Sequence, residues 1–277
     1  DGDWNIAAVE DLGGGLKAGA NMALRLRGRD NNLDSVSTGS GARPRDSSVY
    51  LTGNFGTVTA GAVESGNGLL PLLGAGGPNY IGLDAYSAAT ATPGVLSAAN
   101  NTDLLSYRTP VMSGFSAVGM MLDGVGAGGA QSAAATQDAA LIGLNYANGP
   151  LTAAVDFTNY GLNSLTAGAD SRTRISANYD LGIARIGAGF QTAKLTTGID
   201  RKETGLSVSA PFGAFNIGLI YASAKTDGIS GNDKGYDFAV QYNLSKRTYV
   251  ALQGQSVKLA GATASATNTR VQLAHSF

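Results

Sequence analysis

From Leu16 to Arg29 the chain alternates with a period of two. Leu16, Ala18, Ala20, Met22, Leu24 and Leu26 share one parity, and Lys17, Gly19, Asn21, Ala23, Arg25, Arg27 and Arg29 share the other. Successive side chains of a strand point to opposite faces, so this pattern predicts a strand with one apolar and one polar face. At ~3.3 Å per residue it would be ~45 Å long, more than a globular strand usually needs and enough to cross a bilayer at a tilt. The alternation recurs. Arg172, Arg174, Ser176 and Asn178 oppose Thr173, Ile175, Ala177 and Tyr179; Asp237, Ala239, Gln241 and Asn243 oppose Tyr236, Phe238, Val240, Tyr242 and Leu244; Arg270, Gln272, Ala274 and Ser276 oppose Val271, Leu273, His275 and Phe277.

Two kinds of connection separate these segments, and they take turns. Short ones rich in Gly, Pro and Asn fall at Asp11 to Gly15, Asn54 to Thr57, Thr109 to Gly114, Ala147 to Pro150, Asp180 to Ala184, Pro211 to Ala214 and Leu244 to Arg247. Long ones fall at about 29–46, 61–103, 123–137, 160–170, 195–203, 226–234 and 259–267. An up-and-down antiparallel sheet with short turns at one end and long loops at the other is the plan of a transmembrane β-barrel of the outer membrane, its short turns periplasmic. The segments number about fifteen, and the first and last both run toward a short turn, so closure would leave a parallel pair. The expectation is therefore an all-β barrel of 16 strands whose first strand is missing from this chain, with both termini periplasmic. Residues 1–277 form one domain.

The stretch from 61 to 103 keeps neither period, carries prolines and many glycines, and is rich in Leu, Ala and Tyr. Irregular backbone at membrane depth is tolerated where it lines a water-filled cavity. This third long loop is accordingly expected to fold into the lumen.

Composition narrows the alternatives. Hydrophobic residues make up 43% and charged ones only 14%, too apolar for disorder. No apolar run approaches the length of a spanning helix, whereas a spanning strand needs only ~10 alternating residues. Cysteine is absent, which removes disulfides and thiolate metal sites, and a net charge of −1 argues against a nucleic-acid partner.

At this point several segments carry a resemblance: EDLGGGLKA (Glu10 to Ala18), GNFGTVTAG (Gly53 to Gly61), SYRTPVMSGFSA (Ser106 to Ala117), NYANGPL (Asn145 to Leu151), YNLSKRT (Tyr242 to Thr248) and the terminal Phe277. Spread over almost the whole chain in order, they are similar to the trimeric general porins of Gram-negative β-proteobacteria. The resemblance implies a sixteen-stranded barrel, a homotrimer embedded in the lipid and lipopolysaccharide of the outer membrane, and a constriction built by the third loop. It also implies passive diffusion of small ions and hydrophilic solutes, with a preference for anions. Two wall arginines usual in the family are replaced here by Ala62 and Ser106, and Arg108, on the parity of Ser106, stands in for one. Phe277 would be the signal read by the assembly machinery.

Catalysis has little to work with. The single histidine, His275, falls on the apolar parity, which disfavours a Ser-His-acid hydrolase and a histidine metal site. Asp227 and Asp233 are better read as solvated loop acids than as a Ca²⁺ site. DLGGGLKAG leads from a turn into a strand, not a helix, so it lacks the geometry of a phosphate loop. Neither a cofactor nor an enzymatic activity is expected.

Function should instead lie on the polar parity, where Arg25, Arg27, Arg108, Arg172, Arg174, Arg185 and Arg270 would line the pore with the acids Asp156 and Asp237. Glu64, Tyr80, Asp84 and Tyr86 would stand on the constriction loop. Arginine in a narrow bore raises local anion concentration, so the expected channel is mildly anion-selective. Arg29, Arg43, Arg45 and Arg201 fit the rim. A substrate-specific channel of the same fold, with Tyr80 and Tyr86 as a binding track, and a plugged structural protein are the alternative classes.

Overall fold

A computed structural model describes residues 2–27, 41–63, 102–122, 139–159, 169–195 and 197–276. Among them are fifteen strands, each hydrogen-bonded to the next in chain order in one antiparallel up-and-down sheet. The chain divides into two units. The described residues of the first lie within Asp1–Gly66, Ala99–Leu144 and Phe157–Ser171, and those of the second within Asn145–Asp156 and Arg172–Phe277.

The first unit holds β1 (Gly2–Gly13), β2 (Leu16–Arg27), β3 (Gly41–Gly53), β4 (Gly56–Val63), β5 (Thr102–Arg108) and β6 (Phe115–Leu122). Parts of β7 (Ala139–Asn148), β8 (Leu151–Asn159) and β9 (Ala169–Asp180) belong to each unit. The second continues through β10 (Arg185–Leu195), β11 (Asp200–Phe212), β12 (Phe215–Thr226), β13 (Asp233–Asn243), β14 (Thr248–Lys258) and β15 (Ala266–His275).

The expected short turns are tight. Between β5 and β6, Met112 and Phe115 exchange both backbone hydrogen bonds (2.8 and 2.9 Å) around Ser113 and Gly114. Both central residues have positive φ (50° and 87°), as a twist-matched two-residue hairpin requires. Gly56 opens β4 with φ +114°, and a Cβ there would run into the carbonyl of Arg108 on β5. Only glycine lets those two backbones approach so closely.

Some loop boundaries differ from the sequence expectation. Strand pairing runs through Val63 and resumes at Thr102, so the ends of the expected 61–103 loop, 61–63 and 102–103, are strand, and the rest of it lies outside the described residues. The expected loop at 195–203 is much shorter, because β10 pairs with β11 from Lys194↔Asp200 onward and draws Arg201 and Glu203 into the strand. Likewise β3 already begins at Gly41.

Burial alternates along the strands in a sense opposite to a water-soluble protein. On β12, Gly218, Ile220, Ala222 and Ala224 are buried while Phe215, Ile217 and Leu219 are exposed. On β11, Glu203 and Ser207 are buried and Leu206 and Val208 exposed. Unit one repeats this on β6, with Ser116 and Met120 buried against exposed Phe115 and Met121. A surface that displays Leu, Ile and Phe strand after strand while hiding Glu, Gln and Ser is matched to lipid rather than water.

Packing on the apolar face has its own devices. The Phe238 ring lies over Gly254, its register partner on β14, where a Cβ would collide with the ring. The glycine therefore lets the ring lie flat along the sheet, the arrangement known as aromatic rescue. Gly254→Ala is expected to destabilise the fold by about 1–3 kcal/mol through overpacking. Most of that loss should return in a Gly254→Ala/Phe238→Leu chain, read by urea unfolding in lipid vesicles. Equal destabilisation of the single and double variants would remove the role given to the ring.

Candidate pore-lining face

The polar parity of the second unit carries three side-chain networks. Arg174 on β9 donates its Nε–H to both carboxylate oxygens of Asp156 on β8, at 3.1 and 2.8 Å. Both side chains are buried, 8% and 4% exposed. The pairing follows from parity, which points Arg174 and Asp156 to the same side of adjacent strands.

Further round, Asp237 of β13 is almost fully buried and accepts both hydrogen bonds from the Gln253 Nε2 amide on β14, at 3.1 and 3.0 Å. The Oε1 of Gln253 in turn accepts from Arg270 Nη2 on β15 at 2.7 Å. Gln253 is thus hydrogen-bonded to an acid on one side and a base on the other. Its amide needs both ends, a donor toward the carboxylate and an acceptor toward the guanidinium.

The third network stands toward the long-loop end. Arg201 donates to Glu203 on its own strand (2.6 Å), to the Thr226 hydroxyl on β12 (3.0 Å) and to Asp233 on β13 (2.9 Å). Glu203 also accepts from Gln191 on β10 at 2.9 Å, and Asp233 accepts from the Ala260 backbone beyond β14 at 2.7 Å. One guanidinium therefore gathers three strands and is linked through Asp233 to the connection after β14.

Of the remaining expected wall residues, Arg172 is half-buried on the parity of Arg174. Arg185 is 54% exposed and meets Asp180 at 3.2 Å beside a short turn. In the first unit Arg108 is half-buried on the parity of Leu104 and Ser106, opposite Thr57 and Val118. Ala62 shares the register of Ser47 and Asp103 and the parity of exposed Val58, so its position faces the apolar side. Arg25 and Arg27 lie in β2 opposite Arg43 and Gly41, and their side chains are outside the described residues. So are Glu64, Tyr80, Asp84, Tyr86 and Phe277.

Sequence reading did not single out Glu203, Gln191 or Gln253. Their signal was present: in DRKETGLSVSA the exposed Leu206 and Val208 set a parity that, carried backward, puts Glu203 and Arg201 on the polar side. Asp233, read as a solvated acid, is engaged by Arg201 and Ala260. Among the described residues no cluster of three or more His, Cys, Asp or Glu could hold a metal ion.

A strand-by-strand antiparallel sheet with lipid-matched exterior positions and a charged, hydrogen-bonded opposite face defines a membrane β-barrel channel. A profile of the Gram-negative porin family matches residues 1–262, and the chain belongs to that family. It is 30% identical over 256 residues to "Outer membrane porin protein 32" of Delftia acidovorans, an alignment covering 88% of this chain and 70% of that one. Among solved structures it is similar to the "Anion-selective porin from Comamonas acidovorans", with a TM-score of 0.71, 25% identity, and coverage of 99% of this chain and 89% of that one. A Rh. blastica porin variant shares the fold at a TM-score of 0.69 and 15% identity, with the same coverages. The protein is an outer-membrane porin.

Proposed function

We propose that this porin forms a water-filled channel for passive diffusion of small hydrophilic solutes and ions, with a mild preference for anions. The polar parity is the pore wall: Arg108, Arg172, Arg174, Arg185 and Arg270, with Arg25 and Arg27 on the same parity, and the acids Asp156 and Asp237. The third loop, with Glu64, Tyr80, Asp84 and Tyr86, is its constriction. The single observation that supports the charge preference is unequal burial. Within the second unit Asp156, Glu203 and Asp237 are 4%, 1% and 1% exposed, whereas Arg172 is half-buried and Arg270 exposed; Arg174 is buried with Asp156, and the exposed Arg185 is paired with the exposed Asp180. A carboxylate covered by its partner contributes little field to passing ions, while a guanidinium near the surface contributes more. The preference also agrees with the anion selectivity named for the Comamonas acidovorans porin.

The assembly we propose is a homotrimer packed through outward residues of the first unit, among them Ala8 and Ala20, which face each other across β1 and β2, and Ala60, which follows beyond Val49. Both termini would be periplasmic, and Phe277 would serve the assembly machinery.

One planar-bilayer experiment tests channel and assembly together. Conductance should rise in proportion to salt without saturation, in steps that group in threes. Saturating conductance would favour a channel with a solute-binding track, and no conductance would overturn the proposal.

A further inference from the structure

The apolar face of the second unit has two aromatic pairs that act as depth marks. Tyr221 and Tyr236 stand side by side at ring centroids 5.0 Å apart on β12 and β13, and beyond them the same face turns polar at the paired Ser223 and Lys234. Toward the short turns Phe215 and Tyr242 meet at 4.8 Å. From Tyr236 to Tyr242 the strand rises roughly 20 Å at ~3.3 Å per residue. At a tilt of ~40° this spans roughly 15 Å of depth, against ~25 Å for the apolar band of an outer-membrane barrel.

The missing depth lies in the turns. Leu244, on the parity of Tyr242, is 55% exposed, Phe212 is 76% exposed, and Leu181 and Ile183 are 52% and 80% exposed. Counting to Leu244 lengthens the apolar run to roughly 20 Å of depth by the same arithmetic.

Several backbone donors at these turns are supplied from within. Leu181 N–H donates to Ala184 (2.8 Å), Asn243 N–H to Ala214 (2.9 Å) and Leu244 N–H to Thr248 (2.9 Å), all at carbonyls. Gly182 N–H donates to the Asp180 carboxylate at 2.8 Å. Each donor satisfied within the turn lowers the cost of leaving water. The charged pair beside it, Asp180 and Arg185, falls on the polar parity with Asn178 and Gln191, away from the apolar tips.

Resting on the outer-membrane reading, we propose that the short-turn rim of this unit is a lipid-docking surface. Leu181, Ile183, Phe212 and Leu244 seat among the upper acyl chains and ester carbonyls of the adjoining phospholipid leaflet, continuing the lipid-facing band instead of projecting into water. Amphipathic rings and apolar tips at that depth fix the height of a barrel in its membrane.

The test uses the single tryptophan. In a Trp4→Phe chain, Ile183→Trp and Phe212→Trp report the turns and Leu219→Trp reports the band. All are reconstituted in phosphatidylcholine vesicles brominated either near the carbonyls or near the bilayer centre, with heat-shifted electrophoretic mobility confirming the fold. Both turn tryptophans should be quenched roughly twofold or more strongly by shallow than by central bromine. If Leu219→Trp is quenched by bromolipid while both turn tryptophans respond only to aqueous acrylamide, the rim stands in water and the proposal fails although the membrane reading stands. If Leu219→Trp escapes bromolipid as well, the lipid-facing assignment falls and takes the proposal with it.

Discussion

A chain carrying Arg172→Glu and Arg270→Glu is expected to lose its anion preference and pass cations more readily than anions. At ~8 Å in a water-like dielectric each unit charge contributes about 0.5 kcal/mol to a passing ion. A Debye length of ~10 Å at 0.1 M cuts that by about half. Two reversals change four units of charge, hence about 1 kcal/mol, or roughly fivefold in the local concentration of each ion sign. Zero-current potential across a salt gradient reads this directly. Both substitutions leave the hydrogen bonds described for these two buried acids in place. Asp156 keeps Arg174, and Asp237 keeps the Gln253 amide. The variant should therefore fold and conduct, and an unchanged potential would show that these two guanidinium groups do not face the permeation path.

Arg174 itself predicts a loss of a different kind. Removing one member of a buried pair leaves the other charged and without compensation, which costs about 3 kcal/mol or more. Arg174→Met should therefore destabilise the protein by that order in urea unfolding and, by baring the Asp156 carboxylate, shift selectivity toward cations. Adding Asp156→Leu should recover most of the loss, since two apolar replacements leave no orphaned charge. If the single variant is as stable as the parent, water reaches Asp156 freely and the pair belongs to an open wall instead of a covered one. The double variant, which removes a matched pair whole, should keep the parent's selectivity, and a change as large as that of the Arg172 and Arg270 variant would contradict the distinction drawn between matched and exposed arginines.

What could be read from the chain alone follows from the simplicity of a barrel's geometry. A period of two, sustained over Leu16 to Leu26 or Tyr236 to Leu244, is enough to assign faces, and turn glycines such as Gly114 and Gly213 mark where each strand reverses. Parity placed Arg174 and Asp156 on one side, but it could not say that they touch. That depends on the stagger between β8 and β9, which single-strand periodicity does not contain. Arg201 was legible as a rim residue and illegible as the centre of a four-part network, because its partners Thr226, Asp233 and Glu203 come from three strands. The loop around it was drawn too long for a related reason. Lys202 looks like a loop residue, yet its backbone pairs opposite Thr192 in the β10–β11 ladder. Ala62 misled more simply: counted by motif it replaced a wall arginine, whereas counted by register it faces outward.

The central claim is that the polar face presents positive charge to the ions that cross it. The zero-current potential of the unaltered porin, measured across a fixed salt ratio at ~1 M and again at ~0.05 M mean salt, tests it most directly, since the Debye length grows from ~3 Å to beyond 10 Å between them. The sign should be anionic at both concentrations and the preference clearly larger in dilute salt, as fixed guanidinium charge requires. A cationic sign, or a preference that does not grow on dilution, would contradict the account.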